Sequence, residues 1–285
     1  MSSIGDYYQE LASAAEPAQR AGWRHRLEQW LRFELAIAAL RPHSGDHLVD
    51  LGCGPAALAA YLKPLPVRYT GVERHPALIE QARQTLATLP SDMSLLYADL
   101  FDAHVDEAGP FTLAVAIGAL VDGRASTTEQ RAQRARAHVR RVLELAGEGA
   151  VLFVLDQAAL DADPIRALEP ALLGIYGHEL RAIARETGMP MILSQPLAGE
   201  WMILAGERAE GFDALAERAG CVERVLERWR QAGGLDPADH TWLWWVAGER
   251  NCALDTFTRV PQSHPRHAVL KARLKLMKTK GDKAQ

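Results

Sequence analysis

Four acidic or glycine-rich points in this sequence could hold a ligand, and they recur at intervals that suggest one site. The first is the stretch 47–62, HLVDLGCGPAALAAYL, in which a short apolar run carrying Asp50 passes through Gly52, Cys53, Gly54 and Pro55 into a segment of helical spacing. A turn of that composition leaves the backbone bare, so a ligand can approach its amides and the start of the following helix. Glu73 stands nineteen residues after Gly54, where a carboxylate can accept hydrogen bonds from both hydroxyls of a ribose. Asp99-Leu100 can offer a carboxylate, an amide and an apolar wall to a base, and Ile117-Gly118 closes an apolar run with a residue that admits close approach.

The acid and the glycine pair carry a resemblance. DLGCGP, residues 50–55, resembles the first motif of the class I S-adenosylmethionine-dependent methyltransferases, and the likeness extends over roughly residues 45–207. It implies a Rossmann-like fold, S-adenosyl-L-methionine as cofactor and an enzyme that transfers its methyl group. Asp50, Gly52, Cys53 and Gly54 would hold the amino-acid end of the cofactor, Glu73 the ribose, Asp99 and Leu100 the adenine, and Ile117 and Gly118 the methionine end, with Arg74 also among the cofactor-binding residues. Where the family more often has a third glycine this chain has Ala56, which tightens the loop. Gly22-Trp23-Arg24, Gln29 and Arg32-Phe33 are similar to a pattern ahead of the first motif in some bacterial methyltransferases. Gln29 and Arg32, three apart on a helix, can reach the same ligand. Arg32 is therefore expected to bind cofactor, and its loss to lower cofactor affinity or methyl transfer at least about tenfold with little change in melting temperature; the alternative is a surface helix whose Trp23 and Phe33 pack on the sheet.

These points need elements to position them. Apolar and polar positions alternate with helical period over 6–41, giving two helices that end at Arg41-Pro42. Strands are expected at 48–51, 67–72 ending in Glu73, Met93–Tyr97, Phe111–Ile117, 151–155, 191–194 and 201–204. Helices fill most gaps: Pro76 opens one, the Ser126 to Glu129 capping spacing another, and Asp163-Pro164 a third. Only about six residues separate the last two strands, too few for a crossover, so they should be antiparallel. The expected architecture is α/β, a doubly wound, mostly parallel seven-stranded sheet with a terminal antiparallel hairpin. Residues 1–44 form an N-terminal helical cover, 45–207 the Rossmann-like domain and 208–285 a helical extension.

Composition sets limits on partners. The 285 residues are 48% hydrophobic and 24% charged with a net charge of −4, an ordinary globular balance that recommends neither nucleic acid nor an anionic membrane as partner. Seven basic residues against Asp282 give the last twenty residues a net +6, leaving −10 on the rest. That segment reads as a solvated tail, or as a helix with Leu270, Leu274 and Met277 on one face. Cys53, Cys221 and Cys252 have neither disulfide nor zinc spacing, so no metal is expected and a reducing cytoplasm is the expected home. The start lacks a signal-peptide pattern.

The catalytic group is not assigned. Transfer from a sulfonium needs an in-line nucleophile and exclusion of water more than a strong base. Asp122, Asp156, Tyr176 and His178 are candidates if a base is needed, and Trp242, Trp244 and Trp245 either line an apolar pocket or pack the extension. A small molecule is the expected acceptor. Two other readings fit parts of the pattern: a nicotinamide-dependent oxidoreductase, since Gly52-x-Gly54-x-x-Ala57 also matches a dinucleotide turn, and a methyltransferase-like protein that binds without catalysis.

Overall fold

A computed structural model describes residues 11, 14, 17–23, 25–90, 92–118, 128–162, 174–234 and 236–281. Its centre is a sheet of β1 (His47–Leu51), β2 (Arg68–Glu73), β3 (Met93–Tyr97), β4 (Phe111–Ile117), β5 (Ala146–Asp156), β6 (Gly174–Ile175), β7 (Met191–Leu197) and β8 (Glu200–Ala205). The order is β3-β2-β1-β4-β5-β8-β7, with β6 paired to the end of β5. Neighbours from β3 to β5 run parallel, whereas β8 is antiparallel to both β5 and β7. The order reverses between β1 and β4, and ligands of open α/β sheets bind outside the strand ends at such a point.

The expected strands are present with two differences. β6 makes an eighth strand, and its two residues are too short for any periodicity to reveal. β5 begins at Ala146 rather than near 151, because Gly147 to Gly149 carry no apolar pattern although their backbone pairs with β4. The capping residues Ser126 and Thr127 and the Asp163-Pro164 cap lie outside the described residues.

Both faces of the sheet are covered. On one face pack helices α1 (Arg26–Leu40), α2 (Ala57–Leu62) and α3 (Pro76–Leu86), and on the other α4 (Thr128–Leu145) and α5 (Gly177–Thr187). The α1 helix is started by His25, whose Nδ1 accepts from the Leu27 amide at 3.1 Å, and it ends in a left-handed Arg41 before Pro42. Ala39 and Leu40 at its end are buried, and Leu40 lies against Gly149 near the start of β5. The helix therefore runs opposite to the parallel strands, bringing its first turn to their carboxyl ends.

The chain continues into α6 (Ala214–Gln231), α7 (Pro237–Val246), α8 (Arg250–Phe257) and α9 (His267–Gly281). These do not stand apart from the sheet domain: Val222, Val225 and Leu243 share a core with Leu27, Leu31 and Tyr61. Arg224 pairs with Glu34 at 2.8 Å, Trp242 Nε1 donates to Glu28 at 2.7 Å, and His25 Nε2 meets Asp239 at 3.2 Å. Of the three tryptophans of α7, Trp244 is buried, while Trp242 and Trp245 tilt against each other, ring centroids 5.2 Å apart, with the Arg273 guanidinium 4.6 Å from each. They pack helices together rather than line a pocket. Among the described residues no helix is long and apolar enough to cross a membrane.

The basic end is a packed helix and not a solvated tail. Leu270 and Leu274 of α9 are 1% and 3% exposed, and Arg266 bridges Asp236 and Asp239 at 2.7 and 2.6 Å. Removing residues 266–285 should therefore lower unfolding stability by about 3–6 kcal/mol from the two leucines alone. A denaturation midpoint unchanged by the truncation would place this helix in solvent.

Candidate active site

Strand β1 ends in a turn that only small residues can make. Gly52 and Gly54 adopt φ of 73° and 55°, and the amides of Gly52 and Cys53 both donate to the Val72 carbonyl, at 2.8 and 3.0 Å. A third left-handed residue follows at Ala56, φ 58°, so the glycine more common there in the family removes a steric cost of about 1–2 kcal/mol that this alanine bears. The turn then enters α2.

Glu73, at the end of β2, is 4% exposed and aims its carboxylate at this turn. One oxygen accepts from the Gly54 amide at 3.0 Å, and the other from the amides of Arg74 and His75, each at 2.8 Å. Burial raises its pKa, and the three amides act against that rise by favouring the carboxylate. Three donors leave about one lone-pair site for a ligand.

Asp50 is also buried, and accepts from the Tyr69 hydroxyl at 2.8 Å. Gly71 makes the space for that contact: a Cβ there would stand 2.8 Å from Cys53 Sγ and 3.1 Å from the Tyr69 hydroxyl. Burial raises Asp50 to about 7, opposed by the Tyr69 hydrogen bond and reinforced by the charge of Glu73, and burial together with these two acids pushes the Cys53 thiol up as well. A carboxylate whose folded pKa lies above its unfolded value contributes stability that is complete below about pH 4 and is lost as pH rises through about 7. In Asp50→Asn that decline between pH 4 and 7 should vanish from the denaturation profile. An identical decline in both proteins would show that Asp50 ionises normally.

Arg74 and Asp99 meet each other, at 2.8 Å. Burial alone would raise Asp99, but the Arg74 hydrogen bond and the Phe101 amide outweigh it and hold the carboxyl below its usual range. Leu100 beside it spends its carbonyl on Arg141 Nε, at 2.9 Å. At the end of β4, Ile117 is buried and Gly118 has φ 81°. Its missing side chain serves a residue of the chain itself, since a Cβ there would stand 2.7 Å from Cζ2 of Trp23.

Trp23 is held in turn. The Arg32 guanidinium stacks 4.7 Å from its ring and makes a two-pronged pair with Glu200 of β8, at 2.8 and 2.6 Å, while a third nitrogen donates to the Glu28 carbonyl at 2.6 Å. Ala21 lies beside Gly54, 3.7 Å from the position of a Cβ. Residues 21–23 thus cross the sheet ends from the glycine turn to Gly118. Asp50, Gly52, Cys53, Gly54 and Glu73 gather at the adjoining ends of β1 and β2, where Glu73 binds Gly54 and the Gly52 and Cys53 amides bind Val72, with Ile117 and Gly118 one strand away and Arg74 and Asp99 paired. Arg32 is the exception: 4% exposed and bound to Glu200, it faces Trp23 instead of standing free for a ligand.

Tyr69 and Glu200 belong to this arrangement and were not singled out from sequence. The clue to Glu200 was the buried arginine itself, which requires a carboxylate. Of the candidate bases, Asp156 caps the short helix Gln157–Asp161 and accepts from Gln195 Nε2 at 2.8 Å. The Tyr176 hydroxyl donates to Asp161 at 2.7 Å, His178 is exposed on α5, and Asp122 lies outside the described residues.

The donor set fits S-adenosylmethionine: a buried acid aimed at a bare glycine turn keeps a lone pair for a ribose hydroxyl, and the turn leaves room for the amino-acid end. Comparison with known proteins agrees. A family model described as a methyltransferase domain matches residues 48–147. The chain is 42% identical over 69 residues to ribosomal RNA small subunit methyltransferase A of Acidithiobacillus ferrooxidans, covering 24% of this chain and 25% of the relative. It is 28% identical over 195 residues to an O-methyltransferase of Pyrenophora dematioidea, covering 65% and 67%. The alignment thus spans about a quarter of the length of the first curated relatives. Among solved structures, the N-methyltransferase NodS of Bradyrhizobium japonicum, in complex with S-adenosylhomocysteine, superposes with a TM-score of 0.51 at 16% identity, over 72% of this chain and 97% of that one. Residues 48–147 thus match a methyltransferase domain, and they carry the glycine turn of a Rossmann-like sheet finished by an antiparallel hairpin, the fold on which such domains take S-adenosylmethionine as cofactor.

Proposed function

We propose that the protein transfers a methyl group from S-adenosylmethionine to a small-molecule acceptor. The observation that carries the reading is the Glu73 carboxylate, buried at the end of β2 and 3.0 Å from the Gly54 amide, where it can receive the ribose. When bound, the cofactor supplies a methyl group on a sulfonium that leaves as a neutral thioether. The chain's part is to hold, orient and exclude water. Glu73 and the glycine turn fix one end, Asp99 with Leu100 supports the adenine, and Trp23 over Gly118 shields the strand end at which transfer is proposed.

The described side chains at the mouth, Asp156 and Tyr176, have partners, so an acceptor that is already nucleophilic, an amine or a carboxylate, suits this site better than one needing a strong base. The likeness to a ribosomal RNA methyltransferase covers only the cofactor half, and the net charge of −4 does not favour an RNA surface. Incubation with methyl-labelled S-adenosylmethionine and separated metabolite, protein and RNA fractions tests this. Label is expected in the metabolite fraction; label in RNA or protein overturns the small-molecule reading, and failure to bind S-adenosylmethionine in calorimetry overturns the whole.

A further inference from the structure

We infer that the C-terminal helices hold Trp23 over Gly118, and that His25, bound to Asp239 of α7, is the positioning residue through which they do so; the purpose of that hold rests on the proposed methyl transfer. His25 is an uncommon way to begin a helix. Serine, threonine, aspartate and asparagine lead at that position, because a short side-chain oxygen can accept from an early amide with no further requirement. An imidazole does the same only through a nitrogen that carries no proton. His25 Nδ1 accepts from the Leu27 amide at 3.1 Å, while Nε2 stands 3.2 Å from Asp239 Oδ1. A carboxylate there keeps the proton on Nε2 and so leaves the Nδ1 lone pair for the helix. Asp239 is itself well held: Arg266 donates to the same oxygen at 2.6 Å and Trp229 Nε1 to the other at 3.2 Å. Burial alone would raise its pKa, but His25 and Arg266 outweigh that and hold it down to about 2, so it stays a carboxylate at every working pH.

The body of α1 is fastened without this bond. Leu27 and Leu31 share a core with Val222, Val225 and Leu243, Glu34 pairs with Arg224 at 2.8 Å, and Glu28 accepts from Trp242 Nε1 at 2.7 Å. Those contacts fall within the helix. His25 lies outside it, at the cap, and meets Asp239 and the edge of the Trp229 ring, centroids 6.2 Å apart. Trp23 is two residues further on. Ala21 and Gly22 form a turn with Gly22 at φ 81°, so no helical ladder carries the position of α1 back to Trp23. Two extended residues reach at most about 7 Å, so where His25 is held limits where Trp23 can go.

Trp23 has a seat as well as this tether. Its ring lies against Gly118, where a Cβ would stand 2.7 Å from Cζ2, and the Arg32 guanidinium, fixed by Glu200, covers it at 4.7 Å. Seated, Trp23 closes the end of β4; displaced, it opens that end to water. The extension thus acts on the site through a short chain of contacts, from Asp239 to His25 and from Trp23 to Gly118.

Fluorine NMR of the full chain labelled with 5-fluorotryptophan reads this position directly. The seven tryptophans give seven signals, and Trp23→Phe identifies the one from Trp23. His25→Asn supplies a good cap that is too short to reach Asp239, so the helix start is kept and the tether is lost. The Trp23 signal should move toward that of free 5-fluorotryptophan. S-adenosylhomocysteine should leave the variant at least about tenfold faster in a stopped-flow chase, the ratio set by one charge-assisted hydrogen bond. Asp239→Asn, which keeps an oxygen for Arg266 and loses the charge that fixes the His25 tautomer, should move the same signal, and circular dichroism reports whether each variant is folded. Arg224→Met, which loosens the body of α1 and not its cap, should lower the urea midpoint yet leave the Trp23 signal and the dissociation rate as in wild type. An unmoved Trp23 signal in the folded His25 and Asp239 variants, or an equal move in Arg224→Met, overturns the inference. Failure of the wild-type chain to bind S-adenosylhomocysteine overturns the methyl-transfer reading instead, and the fluorine signals then still decide the hold on Trp23.

Discussion

Glu200→Ala should lower unfolding stability by about 3–5 kcal/mol, the cost of leaving a buried charge without its partner. The Arg32 side chain is 5% exposed and that of Glu200 12%, with both carboxylate oxygens bound to guanidinium nitrogens. Burial lowers the arginine's pKa, and the charge and hydrogen bonds of Glu200 together with the charge of Glu28 more than offset it; without Glu200 the guanidinium, charged at any ordinary pH, is left buried without its partner. Arg32→Ala should be costly too, contrary to the unchanged melting temperature that the helical spacing alone suggests. Replacing both by methionine should recover most of the loss, since an apolar pair of similar volume needs no desolvation of charge. Urea midpoints with unchanged slopes measure this. A loss under about 1 kcal/mol for Glu200→Ala would put the pair in the class of exposed ion pairs.

That pair also marks the limit of what the sequence tells. The glycine turn, Glu73 and the end of β4 were legible because each is a local pattern: an apolar run, a small-residue turn, an acid at a fixed distance. The terminal hairpin was legible because six residues cannot carry a crossover. Glu200 was not, since its partner lies 168 residues earlier and no spacing links them. Tyr69 reads as another apolar strand residue until Gly71, two positions on, is seen to clear room for its hydroxyl. The C-terminal helices look separable by composition, yet Trp242, Arg224 and Asp239 tie them to α1 through contacts that span most of the chain. The basic charge of α9 suggests solvent, but Leu270 and Leu274 at four-residue spacing decide its packing.

Glu73→Ala should weaken S-adenosylmethionine binding by about 2–3 kcal/mol, the scale of hydrogen bonds to a charged group. That is a loss of roughly 30- to 150-fold in dissociation constant. Glu73 has two tasks that this substitution removes together, because its oxygens also gather the amides of Gly54, Arg74 and His75. Glu73→Gln separates them. The glutamine keeps one carbonyl oxygen for the turn but offers a donor where Gly54 or His75 already presents an N–H, and it has no negative charge for the ribose. It should therefore fold with a modest stability loss and still bind at least about tenfold more weakly, by the same charge-assisted margin. The wild-type carboxylate is raised by burial, so its affinity should also fall as pH drops toward that raised value, and the glutamine variant should show a smaller dependence, that left by Asp50. Calorimetry at pH 5.5 and 8 reads both effects. Equal affinities for wild type and Glu73→Gln at pH 8, with both folded, would take the ribose away from Glu73 and leave it as the brace of the glycine turn.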